Sequence, residues 1–459
     1  MSRKDRKRIL FPILLVPIIV ILLLFAWFIF FCFEGEKPAI TLQPRPEFLS
    51  KHEKFTVKIT DQKRGLRRVK VSLNQEGREV TVFETKFTFE GLLNRQGVHR
   101  FEKEFTIDPV SINLAQGRVD LLVQAWDYSR RRGGDGNLTL VQHTMMVDTI
   151  PPAIRAVSRM HNINMGGACL VVYQTSSDTK KSGVFVDDRF FPGFQAGDGQ
   201  EKGMHLAYFA LPYGAKEDAS ISLWAEDRAG NEAKNSFYCH IRKKQFRSDK
   251  VNISDRFLER VLPYFSFYRF DPQLSDIEKY IIVNTRLRQE NHKTIKALAS
   301  KTSTKKLWNG TWVALKNAAN MAQFGDERTY FYKGKKIDEE VHLGVDLASL
   351  AHSPVPAANN GKVIFADRLG IYGLAVILDH GQGLASLYGH LSKIEVTPGQ
   401  DVNRGETIGL TGQTGLAGGD HLHFSVLVSG VFVNPIEWWD GHWIEDNITR
   451  KLALLDQTQ

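Results

Sequence analysis

Five residues, His342, Asp346, His390, His421 and His423, fall in three short segments, His-Leu-Gly-Val-Asp, Tyr-Gly-His-Leu-Ser and His-Leu-His-Phe. Together they hold what a hydrolytic zinc site needs. Two neutral imidazoles and one carboxylate are a common ligand set for catalytic zinc, which keeps a fourth position open for water. Five candidates exceed three ligands, so two histidines are left for proton transfer. Spacing alone does not say which are which.

The elements that must position these groups read as strands. From Val341 to Ala348 the apolar residues Val341, Leu343, Val345 and Leu347 alternate with His342, Gly344 and Asp346, so both polar side chains leave one face of an extended segment. Four residues of straight strand span roughly 13 Å, slightly more than an imidazole and a carboxylate can bridge to one ion. A bend is therefore expected near Gly344. His421 and His423 are two apart on one face of a second strand whose other face carries Leu422, Phe424 and Val426. Between residues 361 and 430 there are 14 glycines, spaced as hairpin turns between strands such as Leu374-Ala375-Val376-Ile377-Leu378. A mainly β domain with its ligands on strands follows.

The three segments resemble those of the lysostaphin/LytM-type zinc endopeptidases, a Gly-Gly/D,D-endopeptidase superfamily that cuts peptide bonds in bacterial peptidoglycan. The likeness runs over roughly residues 320 to 440 and includes the connecting pattern: Pro354-Val355-Pro356-Ala357-Ala358 with Gly361-Lys362-Val363, Gly399-Gln400-Asp401-Val402, Gly405-Glu406-Thr407-Ile408-Gly409, Thr414-Gly415 and Asn434-Pro435. His352 stands where the family often has a small residue, and Asp420 precedes His421 where a proline is usual; neither departure removes a ligand.

The resemblance implies that His342, Asp346 and His423 bind Zn2+ and that His390 and His421 are the catalytic pair. Zinc lowers the pKa of bound water from 15.7 to about 7 and polarises a scissile carbonyl. His390 is then the general base, and His421 positions the water or stabilises the oxyanion, roles that could be exchanged. His352, His380 and His442 lie in or just after the domain and are excluded, His380 because it sits at a family turn. Tyr330 and Tyr332 precede His342 where some relatives place a tyrosine near substrate, but their register does not match.

The first 33 residues bear on the compartment. Arg3, Lys4, Arg6, Lys7 and Arg8 precede an uncharged run from Ile9 to Phe33, which as a helix would extend about 37 Å, enough to cross a bilayer. The run exceeds a typical signal-peptide core and has no clear cleavage site, so an uncleaved anchor over residues 9–33 is expected in preference to a removed signal. The positive-inside rule keeps residues 1–8 in the cytoplasm. A single-pass protein of the bacterial inner membrane follows, its C-terminal domains facing the periplasm or cell wall.

Net charge is +9, of which the first eight residues supply +4. The remaining +5 suits an anionic wall or membrane surface, and there is no nucleic-acid motif. Residues 37–150 read as short alternating strands, as in Lys54-Phe55-Thr56-Val57-Lys58-Ile59, which fits a half-buried antiparallel sandwich. Residues 151–246 repeat its ending: Ala125-Trp126-Asp127 with Gly136-Asn137 is echoed by Ala225-Glu226-Asp227 with Gly230-Asn231. The pair resembles bacterial immunoglobulin-like repeats jointed at Pro151-Pro152, which implies spacers or contact surfaces. Cys169 and Cys239 could form a disulfide or remain two buried thiols. Residues 250–312 form a helical linker in which Ser275-Asp276-Ile277-Glu278 is a capping-box pattern. That linker either packs on the catalytic domain, residues 313–442, or blocks its groove, with Asn317 and Asn320 as candidates to approach the metal. A tail, 443–459, completes the chain.

The expected fold is thus mainly β: an N-terminal transmembrane helix, two immunoglobulin-like β-sandwiches, a short helical linker and an antiparallel β-sheet zinc peptidase domain. The expected function is hydrolysis of peptidoglycan stem peptides, with a protein activator as a possible partner. The alternatives are a non-catalytic scaffold that activates another wall hydrolase, or a protease for a protein substrate.

Overall fold

The computed structural model describes residues 3–196 and 203–456, with side chains from residue 16 onward except at 456. The chain forms two compact units, one of Met1–Pro151 with Arg228–Asn231, the other of Pro152–Asp227 with Glu232–Gln459. It is mainly β. The side chains of the basic tail 1–8 and of residues 9–15 of the expected anchor lie outside the described residues. The helix Arg3–Cys32 is apolar beyond its first turns, and from Val16 to Phe30 its large apolar side chains are exposed. Among the described residues, no helix is long and apolar enough to cross a membrane.

In the first unit the antiparallel strands Ala39–Gln43, Glu53–Thr60 and Arg100–Ile107 form one sheet. Phe48–Leu49, Leu138–Val147, Gly117–Asp127, Leu66–Gln75 and Arg78–Lys86 form another. Alternation does the packing: Val119, Leu121, Val123 and Ala125 are fully buried while the residues between them are not. They share a core with Phe55, Val57 and Ile59 of the other sheet.

In the second unit, two further sheets are built on Ala168–Thr175 and on Thr179–Val186. Their core continues into that of the C-terminal domain, so Leu170, Tyr173 and Phe209 belong to one apolar cluster with Val345, Tyr388, Val426 and Trp438. Glu437 reinforces the junction: its carboxylate accepts from Asn164 Nδ2 (2.7 Å) and from the Ala168 amide (3.1 Å). Cys169 and Cys239 are unbonded thiols, and Lys451 Nζ lies 3.4 Å from Cys169 Sγ.

The linker begins as a strand, Ser248–Ile253, parallel to Glu327–Tyr332. It continues through the helices Asp255–Val261, Asp276–Ile282 and Arg288–Ala299. At Ser275 the expected capping pattern is made, with its amide donating to Glu278 Oε2 at 2.8 Å.

The C-terminal sheet runs in the order Ala319–Ala322, Val345–Ala348, Leu422–Val428, Leu384–Leu391, Leu374–Gly381, Gly361–Arg368 and Asp401–Val402, and Val431–Val433 also pairs with Leu422–Val428. All these pairs are antiparallel. Val341 to Ala348 is not one strand: Lys335–Val341 ends before His342, and Val345–Ala348 starts after a bend at Gly344. A Cβ at Gly344 would lie 2.6 Å from the His423 ring and 2.7 Å from the Phe424 carbonyl. Close approach therefore demands glycine there as much as the bend does.

Candidate functional site

Register sets the site. Asp346 pairs with His423 across two strands, and His423 pairs with Gly389 on its other side, which brings His390 to the same end of the sheet. The bend at Gly344 returns His342 over that end. His421 arrives on an isolated bridge to Gly412. His390 holds this position with φ at +63°, a left-handed conformation unusual for a residue with a side chain.

Three of the five groups converge. His342 Nε2 lies 3.0 Å from Asp346 Oδ1 and 3.1 Å from His423 Nδ1, and His423 Nδ1 lies 3.0 Å from Asp346 Oδ1. The surrounding bonds decide which atoms carry protons. His342 Nδ1 is 3.0 Å from the Gln323 carbonyl, which only accepts, so the proton is on Nδ1 and Nε2 is bare. Ser425 Oγ donates to the Leu343 carbonyl at 2.8 Å, so toward His423 Nε2, 3.0 Å away, it accepts; His423 Nδ1 is then bare. Two lone pairs and a carboxylate oxygen face one another in a buried pocket. No neutral arrangement satisfies them, whereas a cation does.

The donor set fits zinc: tetrahedral ligands about 2.0–2.2 Å from the ion lie roughly 3.3 Å apart, within a few tenths of the separations here. Asp346 is held well below the usual carboxylate range; burial, the largest influence, opposes this, and His342, His421 and His423 together outweigh it. Arg328 donates to Asp346 Oδ2 at 3.2 Å. Burial, and then the charge of Asp346 acting against it, leave the His423 imidazole pushed down to about 4.

The other two histidines stand alongside. The His390 ring centroid is 4.8 Å from that of His421 and 5.8 Å from that of His423. His390 donates from Nδ1 to the Thr414 carbonyl at 2.8 Å, which leaves Nε2 free to accept. Burial, then the neighbouring His421 and His423, hold its pKa well below the ordinary value. His421 donates from Nδ1 to the Gly419 carbonyl at 2.8 Å, and its Nε2 is 3.6 Å from Asp346 Oδ1. Burial opposes the charged form of His421, but hydrogen bonding and the charge of Asp346 raise its pKa overall.

All five line one cavity of about 580 Å³. Its far wall comes from the linker, through Phe257, Arg260, Tyr280, Asn284 and Arg288. Tyr330 also lines it, buried against Tyr280 at 6.2 Å between ring centroids, whereas Tyr332 bonds outward to Asp255 at 2.6 Å. Asn317 lines a different cavity, and Asn320 is an exposed edge residue opposite Leu347. His352 and His442 are exposed. His380 is buried between the Asn360 carbonyl and Ser386 Oγ, each 2.7 Å away. Sequence reading missed Arg328, Ser425 and Gln323. Ser425 had a signal, since it continues the face of His421 and His423.

Residues 340–435 match Peptidase family M23. The C-terminal part of the chain is therefore a peptidase M23 domain of the LytM/lysostaphin type. The DD-carboxypeptidase/endopeptidase Mpg of Neisseria meningitidis serogroup B is 41% identical over 96 residues, 21% of this chain and 22% of that protein. The peptidoglycan DD-endopeptidase ShyA of Vibrio cholerae is 40% identical over 96 residues, again 21% of this chain and 22% of the relative. The murein hydrolase activator EnvC of Escherichia coli is 38% identical over 106 residues, covering 23% and 25%. These matches span about a fifth to a quarter of each relative's length.

Proposed function

We propose that the chain is a membrane-anchored zinc metalloendopeptidase that hydrolyses peptide cross-links of bacterial peptidoglycan. The observation that carries this reading is the triangle of bare His342 Nε2, bare His423 Nδ1 and ionised Asp346, none of whose edges exceeds 3.1 Å. Zinc held there would supply a Lewis acid and lower the pKa of a water molecule. His342, Asp346 and His423 would be its ligands. His390 offers Nε2 as proton acceptor, because Nδ1 is committed to Thr414. His421, fixed by Gly419, would orient the reacting oxygen.

The substrate reading rests on the DD-endopeptidase relatives, and direct D-alanyl to diamino acid cross-links are the bonds of choice. Arg260, Arg288 and Arg328 on the cavity wall suit anionic stem peptides. The helix Arg3–Cys32 supports the anchor: from Val16 to Phe30 its side chains are apolar on all sides and the large ones are exposed, as in a span bathed by lipid. The inner membrane, with the enzyme facing the wall, is the proposed location, and the tandem modules would be immunoglobulin-like spacers. The likeness to a hydrolase activator favours a second reading, a scaffold that binds and activates another hydrolase. The filled ligand set argues for catalysis.

Purified sacculi digested with the detergent-solubilised full chain provide the test. Zinc-dependent loss of cross-linked muropeptide dimers, read by mass spectrometry, is the expected result. Intact dimers with zinc bound would favour the scaffold.

A further inference from the structure

A second cluster of ionisable groups lies in the first unit. Oxygens of Glu34, Asp61 and Asp127 all lie within 4.8 Å of one another, and all three residues are at least nine-tenths buried. Glu34 follows the N-terminal helix, Asp61 follows the strand Glu53–Thr60, and Asp127 ends the strand Gly117–Asp127.

The cluster is organised rather than accidental. Asp61 Oδ1 accepts from the amides of Lys63, Arg64 and Gly65, at 3.2, 2.9 and 2.7 Å. Asp127 Oδ1 accepts from the amides of Ser129 (3.0 Å) and Asn137 (2.6 Å), and Oδ2 accepts from Asn137 Nδ2 at 2.8 Å. Ser129 Oγ and Asn137 Nδ2 clamp the Glu34 carbonyl at 2.9 and 3.1 Å. Glu34 Oε2 accepts from the Glu36 amide at 2.9 Å. What remains is telling: Glu34 Oε1 and Asp61 Oδ2 are buried oxygens with no hydrogen-bond partner.

Nearby cations are engaged elsewhere. Lys63 pairs with Glu36 at 3.0 Å, and the buried Arg64 guanidinium donates to the carbonyls of Leu93 and Tyr128. Burial first, and then the neighbouring carboxylates, raise the pKa values of Glu34 and Asp61 above their ordinary values. Two buried carboxylate oxygens without hydrogen-bond partners beside a third buried acid favour a positively charged ligand.

We propose that Glu34, Asp61 and Asp127 form an oxygen-only site for a hard divalent cation of the calcium class, which fastens the segment after the N-terminal helix to the first β-module. Hard cations take carboxylate oxygens, and calcium with ligands at about 2.3–2.6 Å spans separations of this size. The all-oxygen donor set also separates this site from the nitrogen-rich triangle of the catalytic domain.

The test titrates calcium chloride into the zinc-loaded full chain in detergent, by calorimetry and by thermal unfolding. One calcium per chain is expected, together with a rise in the melting temperature. Asp127→Asn and Glu34→Gln should each weaken binding at least about tenfold, since affinity follows the ligand charge count. His423→Ala should leave calcium binding intact. If Asp127→Asn does not fold, Glu34→Gln still reads the site, because its carboxylate receives only the Glu36 amide. Absence of calcium binding to the wild-type chain, binding unchanged in Glu34→Gln, or tighter binding of magnesium than of calcium would overturn the proposal.

Discussion

Replacing Ser425 by alanine isolates the support behind one proposed ligand without touching the ligand itself. The hydroxyl is fully buried, donates to the Leu343 carbonyl at 2.8 Å and accepts from His423 Nε2 at 3.0 Å. Alanine leaves a buried imidazole N–H without an acceptor, at a cost of about 1–3 kcal/mol in stability. It also frees the ring to move its proton to Nδ1, the atom that faces His342 and Asp346. Loss of such an outer partner weakens metal binding about 10- to 100-fold, or roughly 1.4–2.7 kcal/mol. Competition with a chromophoric chelator at neutral pH measures that ratio directly, and circular dichroism reports whether the variant folds. A folded Ser425→Ala chain that holds zinc as tightly as the wild type would refute the claim that Ser425 sets the His423 tautomer.

Three further outcomes follow from the geometry. Gly344→Ala places a Cβ 2.6 Å from the His423 ring and should lower zinc affinity by at least about tenfold, read as the metal retained after dialysis. Glu437→Ala strips the Ala168 amide and Asn164 of their acceptor and should cost the second unit about 1–3 kcal/mol in denaturant unfolding; an unchanged midpoint would show that the junction rests on apolar packing alone. His161 and His380 are depressed from 6.5 to about 4, each chiefly by burial and His161 also by the charge of Lys451. Stability is unaffected by these groups above pH 6.5 and falls from there toward pH 4, because the unfolded chain takes up a proton that the folded state refuses, by up to about 3 kcal/mol for each group. Stability that stays flat across that window in the His380→Gln chain and the wild type alike would contradict it.

The five candidate site residues stood out because metal chemistry restricts residue types, whereas their convergence rests on a bend, an isolated bridge and strand register that alternation alone does not encode. The bend near Gly344 was legible for a related reason, since a straight strand could not bring His342 and Asp346 to one point. What the alternation rule missed was the break itself, which makes Val341 to Ala348 two elements with Gly344 between them, packed against the His423 ring. Arg328 and the Gln323 carbonyl were invisible because they come from a strand of a separate three-stranded sheet and from a loop, whose approach is set by tertiary packing. Sequence spacing carries no trace of that. The second module looked like a free repeat, yet its buried strand Ala168–Thr175 shares a core with Trp438 and Val426. A strand that buries nearly every residue, rather than alternate ones, was the available sign.

Zinc content and cross-link cleavage, measured in the same samples of wild-type, His423→Ala and His390→Ala full chains incubated with sacculi, bear most directly on the central claim. The wild type should carry zinc and convert muropeptide dimers to monomers, His423→Ala should do neither, and His390→Ala should keep its zinc while leaving dimers intact. Zinc-loaded wild-type protein that leaves every dimer uncut, or His390→Ala cutting at the wild-type rate, would contradict it.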